Sequence, residues 1–421
     1  MKLFQCQTCG HVLYFENRRC ESCNSPLGYL ASESALLALW QAGDLWETEA
    51  PPAKLYRLCA NAGFDACNWL VLAESDERYC AACRHNRTIP DLSIPDNLAN
   101  WRLYEIAKHR LFYTLIGLRL PLRNRVDDPQ RGLAFDFLAQ TPGKPRVMTG
   151  HEDGLITLNL READDVYRTR ERLRLGEPCR TLLGQFRHES GHYYWDQLVQ
   201  GDYLDQFRGL FGDERDDYAA ALQNYYANGP LQGWGSNFIS AYASAHPWED
   251  FAETWAHYLH IVDTMEMAYS FGTSIRPTIE SAPELCLTAG AAPQSLAGFH
   301  QFIDQWLSLA VFMNSINRCM GSADLYPFVI SPAVVPKLEF IHDLVGQSHA
   351  TMDAELLTVK CIGERRHEIS TRLDARSARS AGFGMVYFRP PLNARHKSAP
   401  GERHPPGADL HSADRQFDVA F

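Results

Sequence analysis

Eight cysteines crowded into the first 83 residues constrain this chain more than any other feature. The opening Met-Lys-Leu-Phe-Gln-Cys has no apolar run and no small-residue cleavage site, so the chain reads as cytoplasmic. Thiols stay reduced there, and cysteines at close spacing are then metal ligands rather than bridges. Cys6-Gln-Thr-Cys9 and Cys20-Glu-Ser-Cys23 are paired knuckles separated by ten residues. Each knuckle turns two thiolates toward one point, and two of them close a tetrahedron around zinc with sulfur at about 2.3 Å. The second quartet is looser: seven residues separate Cys59 from Cys67, while Cys80-Ala-Ala-Cys83 is again a knuckle. Four thiolates leave no position for water, so one or two structural zinc ions are expected in a paired zinc-ribbon module over residues 1–95. Such a module either recruits a macromolecular partner or staples an appendage that lacks its own core.

The rest of the chain has the composition of a folded body, with 45% hydrophobic and 22% charged residues among 421. A net charge of −11 argues against a general polyanion binder, so nucleic acid is not an expected partner. The longest apolar candidate, Leu111 to Leu122, is broken by Arg119 and Pro121 and falls short of the roughly 20 residues a membrane span needs. No membrane association is expected. From Asn97 to Leu120 apolar residues recur with a helical period. Leu155 to Leu160 alternates like a half-buried strand, with Phe135 to Leu138 as a second, and Leu155–Leu160 is expected to be the sheet edge that pairs with an extended peptide. Arg180 to Val199, Asp213 to Ala227, Pro247 to Met267, Ser295 to Cys319 and Pro332 to Val345 read as helices. The expectation is an α+β fold in which a mainly helical domain with a small sheet occupies residues 96–361. Residues 362–421, with five prolines and a single apolar cluster at Met385–Phe388, read as a largely disordered tail.

Within the first of those helices, His188-Glu189-Ser190-Gly191-His192 is a His-Glu-x-x-His pattern. Histidines four apart share a helix face and can hold one zinc, with Glu189 beside the open coordination position. Neighbouring Leu182, Phe186, Tyr193 and Trp195 bury this helix, where unpaired imidazoles would be costly to desolvate. A catalytic zinc takes a third protein ligand. Positions 195 and 198 are Trp195 and Leu198, so no third histidine follows at the spacing of HExxHxxGxxH. Downstream, Pro247 opens a helix carrying Glu249 and Glu253, again four apart. One can bind metal while the other accepts a hydrogen bond from the far nitrogen of a ligand histidine. His151 reads as an exposed loop residue, and His257 and His260 as residues beyond the ligand shell or at the surface. Asp324-Leu-Tyr-Pro-Phe328 reads as a packing turn.

HExxH with a glutamate on a second helix resembles the gluzincin metallopeptidases. HExGH followed by a tyrosine, six residues and ExFAE is more closely similar to the zinc centre of the bacterial lethal-factor metalloprotease. The resemblance implies His188, His192 and Glu249 as ligands, Glu189 as general base, Glu253 as the glutamate supporting a ligand, and Tyr242 as a tyrosine reaching the reacting carbonyl. It covers about 70 residues. Over residues 1 to about 345, the paired ribbon ahead of HExGH resembles the bacterial zinc-ribbon putative zinc-binding metallopeptidase family. The phrases Tyr14-Phe-Glu-Asn17, Arg87-Thr-Ile-Pro-Asp-Leu92, His246-Pro-Trp-Glu-Asp250 and Asp324-Leu-Tyr-Pro-Phe328 carry that likeness.

The expected function is a zinc-dependent hydrolase acting on a peptide or protein, with one catalytic zinc beside the structural ones. The alternative is a non-enzymatic zinc-ribbon adaptor whose HExxH site is purely structural. Glu189 favours the enzyme, because a structural site has no use for a base next to an open position.

Overall fold

The computed structural model describes residues 1–49, 54–141, 143–175, 180–279, 282–288 and 298–348, all within one unit, Met1–Thr358. The tail expected over 362–421 lies outside the described residues.

The amino-terminal segment is built on its knuckles. Strands β1 (Phe4–Gln5) and β2 (Val12–Leu13) pair antiparallel around the first one. Gly10 N donates to Cys6 O and Asn24 N to Cys20 O, each at 2.8 Å. Both acceptors' partners lie in the left-handed region, with φ of 60° at Asn24 and 76° at Gly10. Glycine and asparagine enter that region at least cost, which explains their place four residues after each leading cysteine. Strands β3 (Leu27–Leu30) and β4 (Ala35–Ala38) form a hairpin. Strands β5 (Trp40–Ala42), β6 (Leu45–Glu47), β7 (Leu55–Leu58) and β8 (Leu70–Leu72) follow as an antiparallel sheet in chain order.

Helix α1 (Pro95–Gly117) starts on a first-turn proline and buries Trp101, Tyr104, Leu111, Phe112 and Leu115. The ribbon packs on it through aromatic edges: Phe15 lies 5.1 Å from Tyr113 and 4.8 Å from Tyr29, ring centre to ring centre. One hydrophobic core therefore runs from Cys6 and Leu13 through α1 and onward to Val345.

A second sheet gathers β9 (Asn86–Thr88), β10 (Ala134–Leu138), β11 (Gly150–Glu152) and β12 (Leu155–Asn159) in the order β11-β12-β10-β9. Strands β9 and β12 run parallel to β10, and β11 runs antiparallel to β12. This corrects the expectation for Leu155–Leu160, which is an interior strand with Ile156 and Leu158 fully buried. The turn at Asp153 and Gly154 folds β11 back over it, and β11 becomes the edge. Only glycine suits position 154, with φ of 82° and the site of a Cβ 2.2 Å from Arg131 O.

The helical part comprises α2 (Asp165–Leu175), α3 (Leu182–Leu198), α4 (Asp202–Phe211), α5 (Tyr218–Asn228) and α6 (Pro247–Ser270). Two short strands, β13 (Ser274–Ile275) and β14 (Leu287–Thr288), precede α7 (Phe299–Cys319), and residues 335–348 form the last helix. Helix α5 begins later than its composition suggests because Asp217 caps it, accepting from Ala220 N at 3.0 Å. Helices α3 and α6 are the central pair. Tyr194 stacks on Trp255 at 4.9 Å, and Trp255 Nε1 donates to Ser190 Oγ at 3.2 Å. Between them, a Cβ on Gly191 would sit 2.8 Å from Ala252 Cα.

Alanine at position 191 must push the two helices apart. Gly191→Ala is expected to lower the unfolding free energy by about 1–3 kcal/mol. Gly209, on exposed helical surface with nothing within 4 Å of a Cβ, gives the control: Gly209→Ala should stabilise by up to about 1 kcal/mol. Denaturant unfolding of the two variants checks both signs.

Candidate metal centre

Caps fix the two helices that carry the motif. Thr181 starts α3, its hydroxyl accepting from Gly184 N at 2.9 Å. His246 starts α6, its Nδ1 accepting from Trp248 N at 3.1 Å, with Pro247 in the first turn. The contact at Gly191 then brings the imidazole face of α3 against the acidic first turn of α6.

There the Nε2 atoms of His188 and His192 lie 3.0 and 3.6 Å from Glu249 Oε2. Three donor atoms, one from each residue, fall within 4.8 Å of one another. His188 Nδ1 lies 2.7 Å from Glu253 Oε1, and Ser240 Oγ donates to Glu253 Oε2 at 2.5 Å. Glu253 thus holds the His188 ring with Nδ1 protonated and Nε2 free toward Glu249, the outer-shell arrangement of metal-binding histidines. Tyr218, at the start of α5, donates to Glu249 Oε1 at 2.5 Å and fixes the carboxylate from its other side.

The donors fit a divalent cation. Glu249 Oε2 is buried with no hydrogen-bond donor, an arrangement that costs free energy unless a cation satisfies it. Burial opposes charge on Glu249, but His192 and His188 hold its carboxyl well below the usual range. Burial likewise opposes charge at His188, yet Glu249 and Glu253 outweigh it, so the two carboxylates favour positive charge at this point, which a cation at Nε2 would supply without a proton there. Two imidazoles and a carboxylate match the ligand chemistry of zinc.

Glu189, on the same helix, is buried and lines a cavity of about 440 Å³ together with His188, Tyr242, Glu253, Arg146 and Arg180. Burial pushes its carboxyl up, against the pull of the two imidazoles. Tyr242 stands on a single 3-10 turn, Tyr242–Ala245, with its ring 5.9 Å from that of His188. Burial first, and Glu249 second, raise its phenol well above the ordinary value, so it keeps its proton.

His151 is not in an exposed loop. It lies on β11, its ring 6.1 Å from His192 and nearly parallel to it, and its Nε2 accepts from Gly154 N at 2.9 Å. Burial, with His192 and Arg125 adding, lowers its pKa to about 3. His257 is buried and meets Tyr326 Oη at 2.9 Å, so the Asp324–Phe328 turn packs against α6. His260 contacts Arg187, which Asp263 also binds. Tyr218 and Ser240 were not expected; they reach the centre across gaps of 31 and 13 residues, and no spacing rule marks them.

The cysteines also gather. In the first quartet Cys6 and Cys23 sulfurs are 3.7 Å apart and those of Cys9 and Cys20 are 3.6 Å apart. In the second, Cys59, Cys67, Cys80 and Cys83 are all buried with their sulfurs within 4.8 Å of one another. No described helix is long and apolar enough to cross a membrane.

Paired cysteine clusters ahead of a two-helix centre of two histidines and a glutamate define a ribbon-bearing, zinc-binding class of protein. Residues 97–344 match the family model described as "Putative zinc-binding metallo-peptidase", and residues 3–94 match a zinc-ribbon domain. The chain belongs to that family and binds zinc. It is similar to the uncharacterized proteins Mb2598c of Mycobacterium bovis and Rv2568c of Mycobacterium tuberculosis. Each is 41% identical over 349 residues, 82% of this chain and 96% of the relative. No solved structure matches.

The geometry separates the two glutamates of α6. Glu249→Ala should abolish zinc binding at this centre, whereas Glu253→Ala should weaken it by about 10–100-fold. Chelator competition on the purified variants measures both, and the opposite ranking would exchange their roles.

Proposed function

We propose that this protein is a cytoplasmic zinc-dependent peptidase of the gluzincin kind, with the ligand order seen in lethal-factor-type centres. The observation that supports it most is the placement of Glu189: a buried carboxylate one residue from His188, lining the same cavity as that histidine, Tyr242 and Glu253. Zinc held by His188, His192 and Glu249 supplies a Lewis acid that makes a water nucleophilic near neutral pH and polarises a carbonyl.

The chain's own groups do the rest. Glu189 accepts the proton of the attacking water and passes it to the departing amine. Tyr242, protonated and beside His188, donates to the oxygen where negative charge develops, a contribution of about 3 kcal/mol for a well-placed donor. Tyr218 is engaged with Glu249 and keeps the ligand oriented. An extended peptide can add to β11, the exposed edge of the sheet, because Val147 to Thr149 carry the chain from the cavity wall into that strand.

Glu189→Gln keeps the shape and loses the base. Turnover of a peptide library should fall by about 10²–10⁴-fold with zinc retained; unchanged turnover would remove Glu189 from the reaction. The two quartets and the α3–α6 centre together hold three zinc ions per chain. Elemental analysis of protein purified without chelator measures this, and a value near two would show that one cluster holds none.

A further inference from the structure

His109, on α1, points into the second cysteine quartet. Its Nε2 lies 3.2 Å from Cys67 Sγ, 3.5 Å from Cys83 Sγ and 3.9 Å from Cys80 Sγ. The sulfurs of Cys67 and Cys80 are 3.7 Å apart. A tetrahedral zinc with sulfur at about 2.3 Å and nitrogen at about 2.0–2.1 Å has edges of about 3.8 Å between sulfurs and about 3.6 Å between nitrogen and sulfur. The three nitrogen-to-sulfur distances and the Cys67–Cys80 distance stand near those spacings, and Cys83 Sγ lies within 4.8 Å of the other two sulfurs. We propose that the second zinc is held by Cys67, Cys80, Cys83 and His109, with Cys59 the sulfur left over, so that this ion joins the ribbon to the first helix of the metallopeptidase segment.

Two further observations agree. His109 Nδ1 lies 2.6 Å from the carbonyl oxygen of Glu105 and donates to it. In the neutral ring this leaves the lone pair on Nε2, facing three sulfurs that as thiolates have no proton to offer it; a metal ion is the partner that both can share. The second observation is charge. Cys83, Glu105, Lys108 and His109 are all buried, and Glu105 pairs with Lys108 at 2.6 Å. That pair is neutral as a unit. Zinc with four thiolates carries −2 in this enclosure, whereas three thiolates and a neutral imidazole carry −1, which halves the uncompensated charge next to the Glu105 carboxylate.

The consequence is mechanical. Helix α1 packs on α3 through Tyr104 and Phe186, whose rings are 5.9 Å apart. The second ion therefore ties the ribbon to the element against which the His188 and His192 helix is seated.

The test is cadmium-113 NMR of the full chain with cadmium in place of zinc. The first quartet offers only cysteines among the described residues and serves as an all-sulfur standard within the same molecule. The expected result is a second-site resonance upfield of that standard, correlated by scalar coupling to the ring protons of His109. In His109→Ala the resonance should lose the correlation and move toward the all-sulfur position as Cys59 enters, or disappear; in Cys59→Ser it should stay. A second-site resonance at the all-sulfur position in the unaltered protein, with no coupling to His109, would overturn the proposal. That measurement needs no variant to fold.

Discussion

The contact between α3 and α6 at Gly191 and Ala252 governs the geometry of the centre. Each lies inside its own motif, Gly191 between the two histidines and Ala252 between the two glutamates. Because neither presents a bulky side chain there, the helix backbones approach until the site of a Cβ on Gly191 is 2.8 Å from Ala252 Cα. At that separation both imidazoles reach one oxygen of Glu249, and Glu253 reaches the far nitrogen of His188. Tyr194 on Trp255 locks the same approach with aromatic packing, while Phe186 against Phe135 seats α3 on the sheet. The metal donors are thus positioned by the tightest part of the core.

A close pair of helices also explains where the acidic and polar groups went. Glu249 and Glu253 are held by Tyr218 and Ser240 from outside the pair, and Asp250 turns the other way to meet Lys337 at 2.5 Å in the interior. Burial raises the Asp250 carboxyl to about 7 against the pull of that lysine. Three acids in five residues of one helix are therefore sorted by partner: one toward the imidazoles, one behind them and one into a structural ion pair.

The parts legible in the sequence were those with a fixed local period. The spacing of four placed His188 with His192 and Glu249 with Glu253 on common faces, and CxxC gathered cysteines into knuckles. Burial of the HExxH helix followed from Phe186 and Tyr193. Contacts made by tertiary packing were not legible. Tyr218 and His109 reach their sites across the fold, and no local pattern announces either. The edge strand was misplaced because alternation in Leu155–Leu160 marks a strand without showing how many partners it has; Gly150–Glu152 is too short to carry a period of its own. His151 was misread for the same reason. Helices α2 and α4 were missed because α2 is dominated by charged residues and α4 is only ten residues long.

The central claim is that the α3–α6 centre holds a zinc ion with three protein ligands and one position open beside Glu189. Crystallographic anomalous scattering at the zinc edge tests it most directly. The account predicts a peak bonded to His188, His192 and Glu249, with a solvent oxygen as the remaining ligand within hydrogen-bonding distance of Glu189. A peak closed by a fourth protein ligand, such as His151 or Tyr218, or no peak between α3 and α6 in protein that carries zinc at its cysteines, would contradict it.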